Sequence, residues 1–121
     1  DVDSYSAFYD NGGFRQTELY TTLQSHGVTT VIVTGLALDY CVYYTAKDAK
    51  RLGYETYLVL DASRPVSKDT GDKAIADMAY KGIHVIMSSE LKKVFETSSA
   101  NSRSIQIAMA PVIVLLAQIF A

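Results

Sequence analysis

The sequence repeats one arrangement three times: an amphipathic segment closes on glycine, and an apolar, β-branched run begins at once. The three joints read "SHG VTTVIVTG", "RLG YETYLVLD" and "YKG IHVIMSS". Gly27, Gly53 and Gly82 stand where a helix ends in a left-handed residue, a conformation glycine adopts without steric cost. The segments before them support helices, because Leu19 with Leu23, Val42 with Ala46, Ala49 and Leu52, and Ile75 with Met78 and Ala79 recur at helical spacing. Ser67 occupies the N-cap position of the third helix. Runs at 28–34, 54–60 and 83–87 are rich in Val, Ile, Thr and Tyr, and the first is continuous enough to predict a strand covered on both faces. Helices and strands that alternate through such short joints connect by right-handed crossovers. The predicted fold is an α/β three-layer sandwich with a mainly parallel sheet.

A chain of 121 residues, 49% hydrophobic, holds one core and is too short for two ordinary domains. Its net charge of −2, with no cluster of Lys or Arg, gives no surface for nucleic acid. A single cysteine rules out an internal disulfide.

The opening "DVDSYSAFYDNGG" is a polar, aromatic-rich loop closing on an Asn-Gly-Gly turn, with no strand before it. Domains seldom start inside a loop, so residues 1–96 are expected to be the C-terminal part of a domain whose first strands are missing. Residues 97–104 read as a polar linker. The uncharged tail "IQIAMAPVIVLLAQIFA", 105–121, is short for a membrane span and is interrupted by Pro111. With the small residues at 98–102 it partly fits a glycolipid-anchor signal, so a membrane-associated or secreted location is expected. The alternatives are a tail anchor, a helix buried against the domain or against the partner of a homo-oligomer, and a tail created by altered splicing, with a cytoplasmic location as the alternative to the membrane.

Cys41 lies just past the first predicted strand, where the next helix begins. Sites of open parallel sheets form at the carboxyl ends of strands. Backbone N–H groups at a helix start favour a thiolate and could hold a developing oxyanion. A lone cysteine is equally at home as a small core residue. His26 and His84 have no carboxylate or second histidine at ligand spacing, so neither marks a metal site. Asp39, inside the turn, is expected to bond local N–H groups. Asp61 and Arg64 of "DASRPVS" are expected to follow a strand end and order that loop.

The stretch "TGLALDYCVYYTAKDAKRLGYETYLVLDASRPVS" resembles the cysteine-hydrolase core of the nicotinamidases, within the isochorismatase-like superfamily, and "DSYSAFYDNGG" resembles the loop that precedes it there. The resemblance covers about residues 1–96. It implies that Cys41 is the nucleophile, that a non-proline cis peptide joins Leu36 to Ala37, and that the N–H groups of Ala37 and Cys41 form an oxyanion hole. It places Tyr5 and Tyr40 against the pyridine ring of the substrate nicotinamide; both also fit ordinary aromatics among nine tyrosines. The expected chemistry is hydrolysis of nicotinamide to nicotinate and ammonia through a thioester, in NAD salvage. The family also carries an aspartate base, a lysine and a divalent metal (zinc, manganese or iron), whose residues precede this stretch and have no counterpart in this chain. The isolated chain is therefore expected to be inactive. The alternatives are another cysteine amidohydrolase, acting on a ureido or carbamoyl compound, and a truncated, non-catalytic binding product.

Overall fold

A computed structural model of the chain describes residues 5–10, 12–13 and 15–96, with the backbone of 112–117. The polar linker at 97–104 and the rest of the tail lie outside the described residues. Four parallel strands form one sheet in the order β3-β2-β1-β4: β1 (Thr30–Leu36), β2 (Glu55–Arg64), β3 (His84–Ile86) and β4 (Val112–Ala117). Between them run α1 (Leu19–Ser25), α2 (Tyr43–Arg51) and α3 (Lys68–Tyr80). A π-helical turn, Leu38–Val42, leads into α2, and a 3₁₀ turn, Ser88–Glu90, leads into a helical segment at 91–96.

The three stop glycines have φ of 68°, 99° and 86°, so each helix ends as the repeated joint predicts. Val28, Tyr54 and Ile83 then fold back to donate to carbonyls of the helix just left. Ser67 accepts from the Thr70 amide at 3.3 Å and caps α3. Residues Thr30–Thr34 are all buried, as a strand covered on both faces requires.

Successive side chains of a strand point to opposite faces. Val31 and Val33 accordingly join Leu58, Val42, Ala46, Ala49 and Met78 in the larger core beneath the helices, while Ile32 and Val59 meet Val94 of the segment at 91–96 on the other face. Helices thus lie on both sides of the sheet, and the three-layer α/β architecture holds.

The structure departs from the sequence reading in several places. β2 continues through Asp61 and Arg64 rather than ending before them. Its register against β1 jumps from Val33↔Leu58 to Gly35↔Ser63, so extra residues of β2 bulge out, and Asp61 sits in that bulge. Its carboxylate accepts from the amide and hydroxyl of Ser88, joining β2 to the 3₁₀ turn, while Arg64 donates to the Ser63 carbonyl. On α3 the buried stripe is Gly71, Ala74 and Met78, and Ala79 is exposed, because a helix starting at Lys68 turns that residue off the sheet-facing side. Six residues of the apolar tail form β4, paired in parallel with Thr30–Gly35; a Val-, Ile- and Leu-rich run suits a strand. Among the described residues no helix is long and apolar enough to cross a membrane.

Candidate active site

The carboxyl end of β1 holds the site. Gly35 at φ 121° takes a conformation closed to most side chains, and the Leu36–Ala37 peptide that follows is cis. The Ala37 carbonyl accepts from the amides of Tyr40 at 3.0 Å and Val42 at 3.1 Å, and the five-residue span of the second bond winds the chain into a π-turn. This turn carries Cys41, which is 3% exposed, beside the similarly buried Ala37. Tyr40 projects outward and is 37% exposed.

The N-terminal loop closes over this turn. Phe8 is fully buried and stacks with Tyr54 at 6.1 Å. The Ala7 amide donates to Thr45 Oγ1 of α2 at 3.0 Å, and Thr17 grips the loop through its own amide to the Phe8 carbonyl and its hydroxyl to the Ala7 carbonyl. Those anchors hold Tyr5 against Tyr40, with ring centroids 5.5 Å apart at 45°. The structure therefore brings Tyr5, Tyr40, Cys41 and Ala37 together at one strand end.

Asp39 acts at longer range than its position in the turn suggests. Its buried carboxylate accepts from the amides of Val66 at 2.9 Å and Ser67 at 3.3 Å and from Thr70 Oγ1, all at the start of α3. The expected local bonding is limited to its own amide, because a helix start presents orphan N–H donors that draw the carboxylate beyond its own turn. Burial opposes ionisation, but the Thr70 hydroxyl and the Val66 and Ser67 amides outweigh it and hold the carboxyl below its ordinary value. The turn that carries Cys41 is thereby tied to α3. A second tie joins α2 to α3, where Tyr43 donates to Asp77, which also accepts from Lys81. Burial, then this hydrogen bond to Asp77 and its charge, push the Tyr43 hydroxyl up to about 12.

Sequence reasoning also missed Tyr44 and Thr45. Tyr44 stacks on Tyr5 at 5.8 Å and 20°. The available signal was spacing, since Tyr44 lies three residues after Cys41 and four after Tyr40, both helical neighbours.

An Isochorismatase domain model matches residues 4–90, most of the chain and all of the site. The chain belongs to the isochorismatase domain family. Over 77 residues this family member is 47% identical to the nicotinamidase of Escherichia coli K12, covering 64% of the chain and 36% of that relative. It is 44% identical over 69 residues to the nicotinamidase of Saccharomyces cerevisiae, covering 57% of the chain and 32% of the relative. The chain thus spans about a third of the length of these relatives. Among solved structures it matches the Acinetobacter baumanii nicotinamidase/pyrazinamidase with a TM-score of 0.72 at 35% identity, over 74% of this chain and 44% of that one. Yeast nicotinamidase bound to the inhibitor nicotinaldehyde matches at 0.67 and 36% identity, over 73% of this chain and 42% of that one. The Pyrococcus horikoshii pyrazinamidase in complex with zinc matches at 0.62 and 34% identity, over 72% and 45%.

A divalent metal is thus present in a structural neighbour. Among the described residues no group of three or more His, Cys, Asp or Glu is placed to hold one. His26 Nδ1 faces the Thr22 carbonyl and Ser25 Oγ, and His84 pairs with Glu55 while stacking on Tyr57. These residues do not fit a metal site.

Proposed function

We propose that this chain is the nucleophile-bearing part of a nicotinamidase, a cysteine amide hydrolase that converts nicotinamide to nicotinate and ammonia. The observation that carries the reading is the seat of Cys41, in a π-turn at the carboxyl end of the buried strand β1 with Tyr5 and Tyr40 beside it. Support comes from the nicotinamidase relatives and from the neighbour that binds an aromatic aldehyde.

On this reading the Cys41 sulfur attacks the carboxamide carbon of nicotinamide, and the oxygen takes up the displaced electron pair. The backbone N–H groups of Ala37 and Cys41 face that oxyanion. As the intermediate collapses, the C–N bond breaks and the thiol proton leaves with ammonia, giving a thioester. Water then adds to the thioester carbon, nicotinate departs and the thiol is restored. Tyr5 and Tyr40 flank the pyridine ring. The aspartate base and lysine that the family resemblance implies have no counterpart in this chain, so the 121 residues alone are inactive on this reading. On the same reading the product nicotinate would feed NAD salvage.

Ammonia release from nicotinamide, measured beside ureidoacrylate with the complete protein and its Cys41→Ala variant, tests the reading. Cys41→Ala is expected to lose at least about a thousandfold in kcat/KM, as removal of a covalent nucleophile does, with its thermal midpoint little changed. A clear preference for ureidoacrylate, or substantial turnover by Cys41→Ala, rejects it.

A further inference from the structure

The stack between Tyr5 and Tyr44 gives Tyr44 a task beyond the residues discussed so far. Tyr5 is 48% exposed, and its ring stands at the edge of the turn that carries Cys41. Two side chains of the nucleophile helix limit it. Tyr40 meets it at a 45° tilt, and Tyr44 lies nearly parallel to it, 20° between planes. Such offset stacking is a favoured aromatic geometry. Tyr44 is itself steadied, for Lys47 Nζ sits over its ring at 4.8 Å and over the Tyr43 ring at 4.2 Å. The next residue, Thr45, receives the Ala7 amide of the same loop. Neighbouring positions of one helix thus hold the loop at two points, Thr45 its backbone and Tyr44 its aromatic ring.

We propose that Tyr44 is a positioning residue: by stacking on Tyr5 it fixes the plane against which a flat heteroaromatic amide is bound, and so favours such substrates. The proposal rests on the nicotinamidase reading for its substrate class. The clamp on Tyr5 itself does not. The ring is the working part, so phenylalanine should serve in its place and alanine should not.

The complete protein is compared as wild type, Tyr44→Ala and Tyr44→Phe by two measurements. In steady-state kinetics on nicotinamide, Tyr44→Ala is expected to raise KM about three- to tenfold, the range one aromatic pair supplies, with kcat within about twofold and Tyr44→Phe restoring wild-type KM. In limited chymotrypsin digestion, cleavage after Tyr5 is expected to quicken in Tyr44→Ala and not in Tyr44→Phe. An unchanged KM in Tyr44→Ala, or a loss confined to kcat, overturns the proposed role in binding. Unchanged cleavage at Tyr5 overturns the clamp. Wild-type protein inactive on nicotinamide, with cleavage still quickened by Tyr44→Ala, rejects the nicotinamidase reading and the substrate preference while upholding the clamp.

Discussion

Asp39 ties the turn that carries Cys41 to the start of α3, since it stands two residues before the cysteine and accepts from Val66, Ser67 and Thr70. Removing its carboxylate strands the Val66 and Ser67 amides and the Thr70 hydroxyl. Hydrogen bonds to a charged acceptor contribute about 1.5–3 kcal/mol, so Asp39→Ala is expected to destabilise the protein by about 2–3 kcal/mol in urea unfolding. Asp39→Asn, which keeps an acceptor oxygen, should lose less. The difference between wild type and Asp39→Asn should depend on pH in one direction. The folded-state value lies below the unfolded 3.8, so the stabilisation is present above that value and lost as pH falls through the folded value. A difference constant between pH 7 and strong acid would show that the carboxylate's charge is not what holds α3. At this scale the sequence displayed Cys41, Ala37, Tyr5 and Tyr40 through two short motifs. It hid the reach of Asp39, because a contact spanning 27 to 31 residues leaves no local pattern. Tyr44 was hidden because its partner Tyr5 lies on a distant loop, and helical spacing alone does not show which ring stacks on it.

The elements were legible wherever chemistry is local. Glycine stops, the Ser67 cap and the unbroken apolar run of β1 each declare themselves through a few adjacent residues. The far end of β2 did not, because "DASR" is polar and reads as loop. Its polar groups find partners instead, exposed Asp61 in Ser88 of the 3₁₀ turn and buried Ser63 in the Val59 carbonyl. The tail strand β4 was hidden for another reason: an uncharged apolar run declares burial or membrane with equal force until a partner edge is known. The packing of α3 supplies a test at this level. A Cβ at Gly71 would stand 2.6 Å from Pro65 Cβ and 2.8 Å from its Cγ, and a proline ring cannot swing aside as a long side chain can. Alanine would gain about 1 kcal/mol in helix propensity, but overpacking costs about 1–3 kcal/mol. With a rigid neighbour the steric side is expected to win. Gly71→Ala should therefore lower stability, by up to about 2 kcal/mol in urea unfolding once the propensity gain is set against the overpacking cost. A variant as stable as wild type would mean that α3 and Pro65 separate without cost.

Across the molecule, tyrosine hydroxyls set how the fold responds to base. Tyr43 links α2 to α3 through Asp77, and Tyr54 and Tyr57 enter and line β2. All three are raised above the ordinary 10.0, first by burial and then by Asp77 and Tyr44 beside Tyr43, Tyr20 beside Tyr54 and Glu55 beside Tyr57. A raised folded value means that the neutral hydroxyl is favoured in the native state. The resulting stability is complete below 10.0, the unfolded value, and drains as pH climbs through the folded values, about 12 for Tyr43. Carboxylates set the opposite limit. Asp61 is lowered by the Ser88 hydroxyl and amide, and Asp77 by the Lys81 and Tyr43 hydrogen bonds, so their stabilisation is present above 3.8 and lost in acid. Urea midpoints across pH should thus form a plateau that falls on both sides. Tyr43→Phe is the discriminating variant, because it removes the titrating hydroxyl and keeps the ring. It should start lower than wild type at neutral pH, having lost the bond to Asp77, and decline less steeply above pH 10. If wild type and Tyr43→Phe decline in parallel between pH 10 and 12, the tie between α2 and α3 is not what base releases, and Tyr54 and Tyr57 are left to carry the alkaline limb.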